Sequence, residues 1–107
     1  MTEVEKLYSL AGVKPLCQIP DSYCGMKNVY EDFTAEKQIE LIKCMLKNFD
    51  IDFSQIGQRI DTSLDGINCI SGIGSADTFE DSLCMAVNDL WQDLTEEEQN
   101  EIREILE

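Results

Sequence analysis

Carboxylates are the most numerous side chains in this sequence that could do chemistry. Near the C-terminus several of them stand four residues apart, which places two side chains on one helical face about 6 Å apart. A carboxylate pair catalyses acid–base chemistry when its environment separates the two pKa values, and nothing in the neighbouring sequence marks one pair as buried. The spacing therefore predicts an acidic contact surface and not an active site, formed by Asp77, Asp81, Asp89, Asp93, Glu97, Glu101 and Glu104.

The cysteines show no metal-binding or nucleophile motif. Cys17 and Cys24 are separated by six residues, and the other cysteines lie farther apart. The chain has no histidine, so it lacks the usual general base, the usual activator of a cysteine nucleophile and the commonest metal ligand. Helical periodicity places Cys44 toward the polar side of its helix and predicts an exposed thiol there. We expect Cys69 and Cys84 to be small core or near-core residues.

The stretch 50–61 partly resembles the loop of an EF-hand calcium site. Asp50, Asp52 and Asp61 supply oxygen ligands at its first, third and twelfth positions, but Gln55 stands at the sixth position, where the loop needs glycine. We therefore predict no metal and no cofactor. A calcium-dependent module in this stretch is the third of three functional alternatives.

Negative charge is concentrated in the second half of the chain. The formal net charge is −14, of which residues 48–107 contribute −13, with Arg59 and Arg103 as their only bases. A field of this sign repels nucleic acid and anionic membranes and attracts basic surfaces. No apolar run approaches the roughly 20 residues of a membrane span. The odd cysteine count and the absence of a signal peptide predict a cytoplasmic protein with reduced thiols.

Hydrophobic periodicity predicts four helices, over about 3–11, 35–49, 77–93 and 96–106. Thr34 is a good N-cap for the second helix, and Thr95 with Glu98 has the spacing of a capping box for the last. Residues 13–33 are predicted to be irregular, with a turn at Cys24-Gly25, and residues 72–75 are predicted to form a flexible connection.

The dipeptide Asp65-Gly66 predicts a tight hairpin turn, because it lies between two β-compatible runs. A turn at these two residues pairs Leu64 with Ile67. The predicted fold is therefore α+β, a single domain over residues 1–107 that is mostly helical, with about four helices and one small β-hairpin near Asp65-Gly66.

Three blocks of sequence resemble small uncharacterised proteins encoded by phages and prophages of Firmicutes. They are EVEKLYSLAGVKP at 3–15, FTAEKQIELIK at 33–43 and LWQDLTEEE at 90–98. The resemblance implies a phage context, and hence the cytoplasm of a host cell, without assigning any residue a role. Small acidic phage proteins include anti-CRISPR proteins and other inhibitors of defence nucleases, some of which mimic DNA. This chain is similar to them in size and charge.

These observations favour a non-catalytic function. The first hypothesis is a phage-type inhibitor whose helical acids contact a basic nucleic-acid-handling protein, such as a CRISPR effector, and block its DNA or RNA binding. Such an interaction is fast and salt-sensitive. The alternative is an acidic structural or adaptor protein that binds its partner through an apolar patch near Trp91, Tyr30 or Phe53, with binding that tolerates high salt.

Overall fold

The computed structural model describes residues 2–21 and 25–107 and shows an α+β fold. Within these residues the helices are α1 (Glu3–Ala11), α2 (Ala35–Leu46), α3 (Phe79–Asp89) and α4 (Glu96–Leu106). The strands are β1 (Cys17–Asp21), β2 (Gly25–Val29), β3 (Phe49–Ile56), β4 (Arg59–Gly66) and β5 (Ser71–Ala76). β1 pairs with β2, and a second antiparallel sheet has the order β3-β4-β5.

Threonine hydroxyl groups determine where the four helices begin. Each hydroxyl accepts a hydrogen bond from the backbone N–H of the residue three positions later in the chain. The four capping residues are Thr2, Thr34, Thr78 and Thr95. The predicted first helix and the capping box of Thr95 with Glu98 are confirmed. α3 is shorter than predicted, because Thr78 caps it and the backbone leaves helical geometry at Leu90. α2 ends at Leu46 because Phe49 already pairs in the sheet.

The prediction of a mostly helical domain with one hairpin near Asp65-Gly66 is wrong. Both residues lie within β4, and the tight turn that closes the β3–β4 hairpin is Gly57-Gln58. Gly57 has a φ of +63°, the conformation that makes glycine the preferred first residue of a type II′ turn. Gly66 serves packing instead, because a Cβ there would lie 2.7 Å from the ring of Phe49.

Two further strand pairs replace segments predicted to be irregular. Residues 13–33 contain the β1–β2 hairpin, whose strands are exposed and polar and include Pro20, so that hydrophobic alternation does not reveal them. Residues 72–75 lie in β5, which contains two glycines and therefore has a weak strand signal. Cys24, predicted to form a turn with Gly25, lies outside the described residues.

The core lies between one face of the larger sheet and the helices. Thr62 and Leu64 of β4 point inward and are fully buried beneath α3. α1 packs against α3, while α4 contacts both α1 and α2. Leucines and other apolar side chains from all four helices complete this core, among them Leu7, Leu41, Met45, Leu83, Val87, Leu90, Ile102 and Leu106.

α3 approaches β5 so closely that side chains are excluded between them. A Cβ on Gly74 would lie 2.0 Å from the carbonyl oxygen of Ser82, and one on Gly72 would lie 2.4 Å from that of Ala86. The Ser82 hydroxyl donates to the carbonyl of Gly74 at 3.2 Å and shares a hydrogen bond of 2.8 Å with the Thr62 hydroxyl. Both hydroxyl-bearing residues are fully buried, and these bonds satisfy their polar groups.

We predict that Gly74→Ala lowers the free energy of unfolding by about 2–3 kcal/mol, because a methyl group must displace the backbone of α3. Urea denaturation measures the change. Ser71→Ala, at an exposed position of the same strand, is the matched control and should change the stability by less than about 0.5 kcal/mol. Equal stabilities of the two variants would contradict the close approach.

Candidate binding surface

The groove between α2 and α4 contains a group of side chains that resembles a catalytic cluster. Glu101 accepts a hydrogen bond of 2.8 Å from the Lys47 ammonium group and one of 3.3 Å from the Cys44 thiol. The groove has a volume of about 570 Å³ and is lined by Glu40, Lys43, Cys44, Lys47, Glu101, Glu104 and Ile105. Cys44 lies on the polar side of α2, but the prediction that its thiol is exposed is wrong, because α4 packs against that side and buries it.

The electrostatics of this cluster oppose catalysis by the thiol. Burial, followed by the hydrogen bond to the Glu101 carboxylate, raises the pKa of the Cys44 thiol to about 12. Only the thiolate is an effective nucleophile, so this cysteine is held in its unreactive form. The hydrogen bond from Lys47, and after it the one from Cys44, lowers the pKa of Glu101. A carboxyl group held ionised in this way does not serve as a proton donor at neutral pH.

We predict that Cys44 resists alkylation. With a pKa of about 12 in place of 9.0, its thiolate fraction at neutral pH is smaller by roughly a thousandfold. Cys17 and Cys69 are exposed and serve as internal controls. The prediction that Cys69 is a core or near-core residue is therefore wrong, whereas Cys84 is buried as predicted. Mass spectrometry after brief treatment with iodoacetamide should find both controls modified and Cys44 unmodified. Modification of Cys44 at the rate of the controls would contradict the burial of this thiol.

The Glu101–Lys47 ion pair should make stability depend on pH. Because the folded state lowers the pKa of Glu101, its contribution is present above the ordinary value of 4.5 and is lost as the pH falls through the folded value. We expect Glu101→Gln to lower the melting temperature at about pH 7, with the difference from wild type shrinking as the pH falls below 4.5. Circular dichroism melts across this range measure it. Glu104→Gln removes an equal charge from the same helix, leaves the Glu101–Lys47 ion pair intact, and is the matched control.

The predicted helical acids fall into two groups that face different neighbours. Glu97, Glu101 and Glu104 lie on α4, beside the grooves that α2 lines with Lys43 and Lys47. The lysines place positive charge next to this group. The α4 carboxylates are consequently a less intensely negative surface than the sequence of the helix alone suggests.

The second group follows α3 and the segments on either side of it. Asp89 accepts a hydrogen bond of 3.1 Å from the backbone N–H of Ile73 on β5, and Asp81 accepts one of 3.0 Å from the Thr78 hydroxyl. These two side chains hold α3 and its N-terminus in place. Asp77, in the bend before α3, and Asp93, in the short 3₁₀ turn after it, are exposed.

The outer face of the three-stranded sheet is a further acidic surface, which the analysis of helical spacing missed. Asp50 and Asp52 of β3 alternate with inward-facing apolar residues, and the register places Asp65 of β4 directly opposite Asp50. Asp61 lies on the same face and pairs with Arg59, the single basic residue in the sequences of β3, β4 and β5. The alternation of acids with Ile51 and Phe53 was the signal for this face.

Two other sequence-based hypotheses depend on this region and its surroundings. Residues 50–61 lie in the β3–β4 hairpin and do not form a calcium loop. The described residues contain no group of three acids and cysteines arranged to hold a metal ion.

Of the predicted apolar patch, Trp91 is buried and Tyr30 stacks on Tyr8 with ring centroids 4.9 Å apart. Phe53 is the one that is exposed, at 43 %.

Comparisons with known proteins identify no relative of this chain. No family model, no curated protein and no solved structure matches the chain. Among the described residues, no helix is both long enough and apolar enough to cross a membrane.

Proposed function

We propose that this chain is a non-catalytic inhibitor that binds a basic, nucleic-acid-handling protein, such as a CRISPR effector, and blocks its DNA or RNA binding. The partner's basic groove is occupied by the outer face of the larger sheet, here called the acidic sheet face and defined as Asp50, Asp52, Asp61 and Asp65. The acids of α3 and α4 add to the field that attracts the partner. The observation that carries this proposal is the alignment of these four aspartates on one face.

The spacing on the acidic sheet face suits a surface that binds phosphates. Alternate residues along a strand are separated by about 6.8 Å and neighbouring strands by about 4.8 Å. Carboxylates on such a grid are comparable in separation to successive phosphates along a DNA strand. A partner that exchanges DNA for this face gains the electrostatic contacts that its lysines and arginines make with phosphates.

Two features favour the sheet over the helices as the contact. Arg59 is the only base on the three strands, whereas Lys43 and Lys47 face the acids of α4. Furthermore, Asp50 and Asp65 lie directly opposite each other, an arrangement of like charges that destabilises a sheet. Acids that oppose folding are better explained by contact with a positive partner than by solubility alone, because scattered surface charges provide solubility without such repulsion.

An adaptor function remains the second candidate, and one observation favours it. Ile39 and Leu46 of α2 are 52 % and 56 % exposed. Apolar side chains at these positions could bind a partner without any electrostatic contribution. Binding of that kind would be insensitive to salt, which distinguishes it from inhibition by the acidic sheet face.

Competition for DNA tests the proposal. We expect the protein to reduce binding of fluorescent target DNA by a purified type II CRISPR effector loaded with guide RNA, measured by anisotropy at about 50 mM salt. The direct affinity of the protein for the effector should fall at least tenfold between about 50 and 300 mM salt, because this contact is between charges. The quadruple variant D50N/D52N/D61N/D65N should lose at least about tenfold in inhibitory potency.

A matched control removes the same charge elsewhere. The variant D77N/D93N/E97Q/E104Q has four acids fewer on α3, α4 and their flanks, and leaves the hydrogen-bonded Asp81, Asp89 and Glu101 intact. It should keep most of the potency and bind somewhat more slowly. Unimpaired inhibition by the sheet variant would disprove the contact, and the absence of inhibition by the wild type would disprove the function for this effector class.

A further inference from the structure

The two edge strands of the larger sheet, β3 and β5, differ in whether their outward backbone amides have hydrogen-bond partners. Ile56 and Arg59 flank the two-residue turn and form the last hydrogen-bonded pair between β3 and β4. Hydrogen-bonded pairs alternate with non-hydrogen-bonded pairs in an antiparallel ladder. The backbone N–H and C=O groups of Ile51, Phe53 and Gln55 therefore point away from β4. The same register turns those of Ile73 and Ser75 outward from β5. The hydrogen bonds at β5 agree with this assignment, because the amides of Ile73 and Ser75 are bound by side chains of α3.

Two outward amides of β5 have side-chain partners, whereas the β3 edge is open. The Ile73 amide donates to the Asp89 carboxylate at 3.1 Å, and the Ser75 amide donates to the Met85 sulfur at 3.4 Å. Among the described residues, no strand pairs with the outer side of β3. An open edge of eight residues is a template for another strand unless it is bulged, covered or very short.

α2 runs antiparallel beside this open edge. Near the start of α2, the Gln38 amide donates to Glu80 at 3.1 Å, and the adjacent Phe79 ring lies 5.0 Å from that of Phe53, late in β3. At the end of α2, Leu46 shares a surface hollow of about 340 Å³ with Phe49, at the start of β3. The end of α2 therefore lies beside the start of β3, and the start of α2 contacts a residue adjacent to Phe79, which packs on the late part of β3.

The flank of α2 away from α4 carries an exposed apolar stripe. Ile39, Ile42 and Leu46 lie on one side of the helix by their spacing, the side that also carries Gln38. Cys44 lies on the opposite side, against Glu101 of α4. Ile42 is half-buried, and the other two members of the stripe are more than half exposed. A strand lying between this stripe and β3 would cover both the apolar side chains and the open backbone groups.

We propose that the β3 edge binds an extended segment of the partner, by strand addition, in which apolar residues alternate with lysine or arginine. Side chains of an added strand alternate between the two faces of the sheet. The inward set would contact Ile39 and Leu46, and the outward set would lie next to Asp50 and Asp52. The lysine or arginine residues of this segment follow from the proposed function, which supplies a basic partner, and the inference rests on that function in this respect.

A second copy of the chain fits this edge less well. Antiparallel pairing of two β3 strands would gather Asp50 and Asp52 of both copies on one face. The sequence of β3 contains no basic residue to compensate these four charges. The formal net charge of −14 on each copy adds long-range repulsion.

A peptide-binding experiment tests the inference. The probe is a fluorescein-labelled peptide of four Lys-Val repeats, which has the length of β3. Its control has the same composition but places four lysines before four valines, so that it cannot direct the two residue types to opposite faces. Anisotropy should show at least about tenfold tighter binding of the alternating peptide. Equal affinities would reduce the interaction to unspecific charge attraction and overturn the inference.

Two pairs of variants locate the binding. Gln55→Pro removes an outward amide without breaking the β3–β4 ladder and should weaken peptide binding at least about tenfold, whereas Gln55→Ala should not. Ile39→Ser should weaken peptide binding by a similar factor, whereas Leu16→Ser, at an exposed apolar residue outside the stripe, should not. Unchanged binding by Q55P and I39S would overturn the inference. A wild-type dimer in sedimentation that Q55P dissociates would also overturn it, in favour of self-pairing.

The same variants separate this inference from the proposed function. If Q55P and I39S inhibit the CRISPR effector as well as wild type does, while the sheet variant fails, strand addition is wrong and inhibition through the acidic sheet face stands. If the effector is not inhibited but the alternating peptide binds in the manner described, inhibition of this effector is wrong and strand addition at the β3 edge stands.

Discussion

The close contact of α3 with β5 is the constraint on which the rest of the structure depends. It requires glycine at positions 72 and 74, because the carbonyl groups of α3 occupy the space of a side chain. The buried hydroxyl groups of Thr62 and Ser82 link the helix to both β4 and β5. With α3 fixed on the sheet, α1 packs behind it and α4 joins α1 to α2, so the position of every helix follows from this contact.

The same contact makes the sheet asymmetric. α3 lies near enough to β5 for its Asp89 and Met85 to bind the outward amides of that strand. β3, at the other edge, has no such partner among the described residues. Its inner side meets Phe79 through Phe53, and its outer side carries two aspartates. An open edge, an apolar flank and an acidic face therefore coincide at one strand, and this combination suits an extended basic partner better than it suits a solvent-exposed surface.

Local signals in the sequence predicted the helices well and the strands poorly. The threonine caps and the apolar periodicity located α1 and α4 because these signals lie within a few residues of each other. Asp65-Gly66 misled the prediction of the turn, because Gly66 is required by the ring of Phe49, seventeen positions earlier in the chain. The burial of Cys44 likewise depends on α4, which is distant in sequence. The acids on β3 were visible as an alternation, but their role became apparent only when the register placed them on one face.

Hydrogen–deuterium exchange of the protein with and without a type II CRISPR effector tests the central claim most directly. The claim is that the partner covers β3 and the acidic sheet face. It predicts that the outward amides of Ile51, Phe53 and Gln55 exchange quickly in the free protein and become protected in the complex, while exchange in α4 is unchanged. Protection confined to residues 96–106, with unchanged exchange in β3, would contradict the claim and would identify the helical acids as the contact surface.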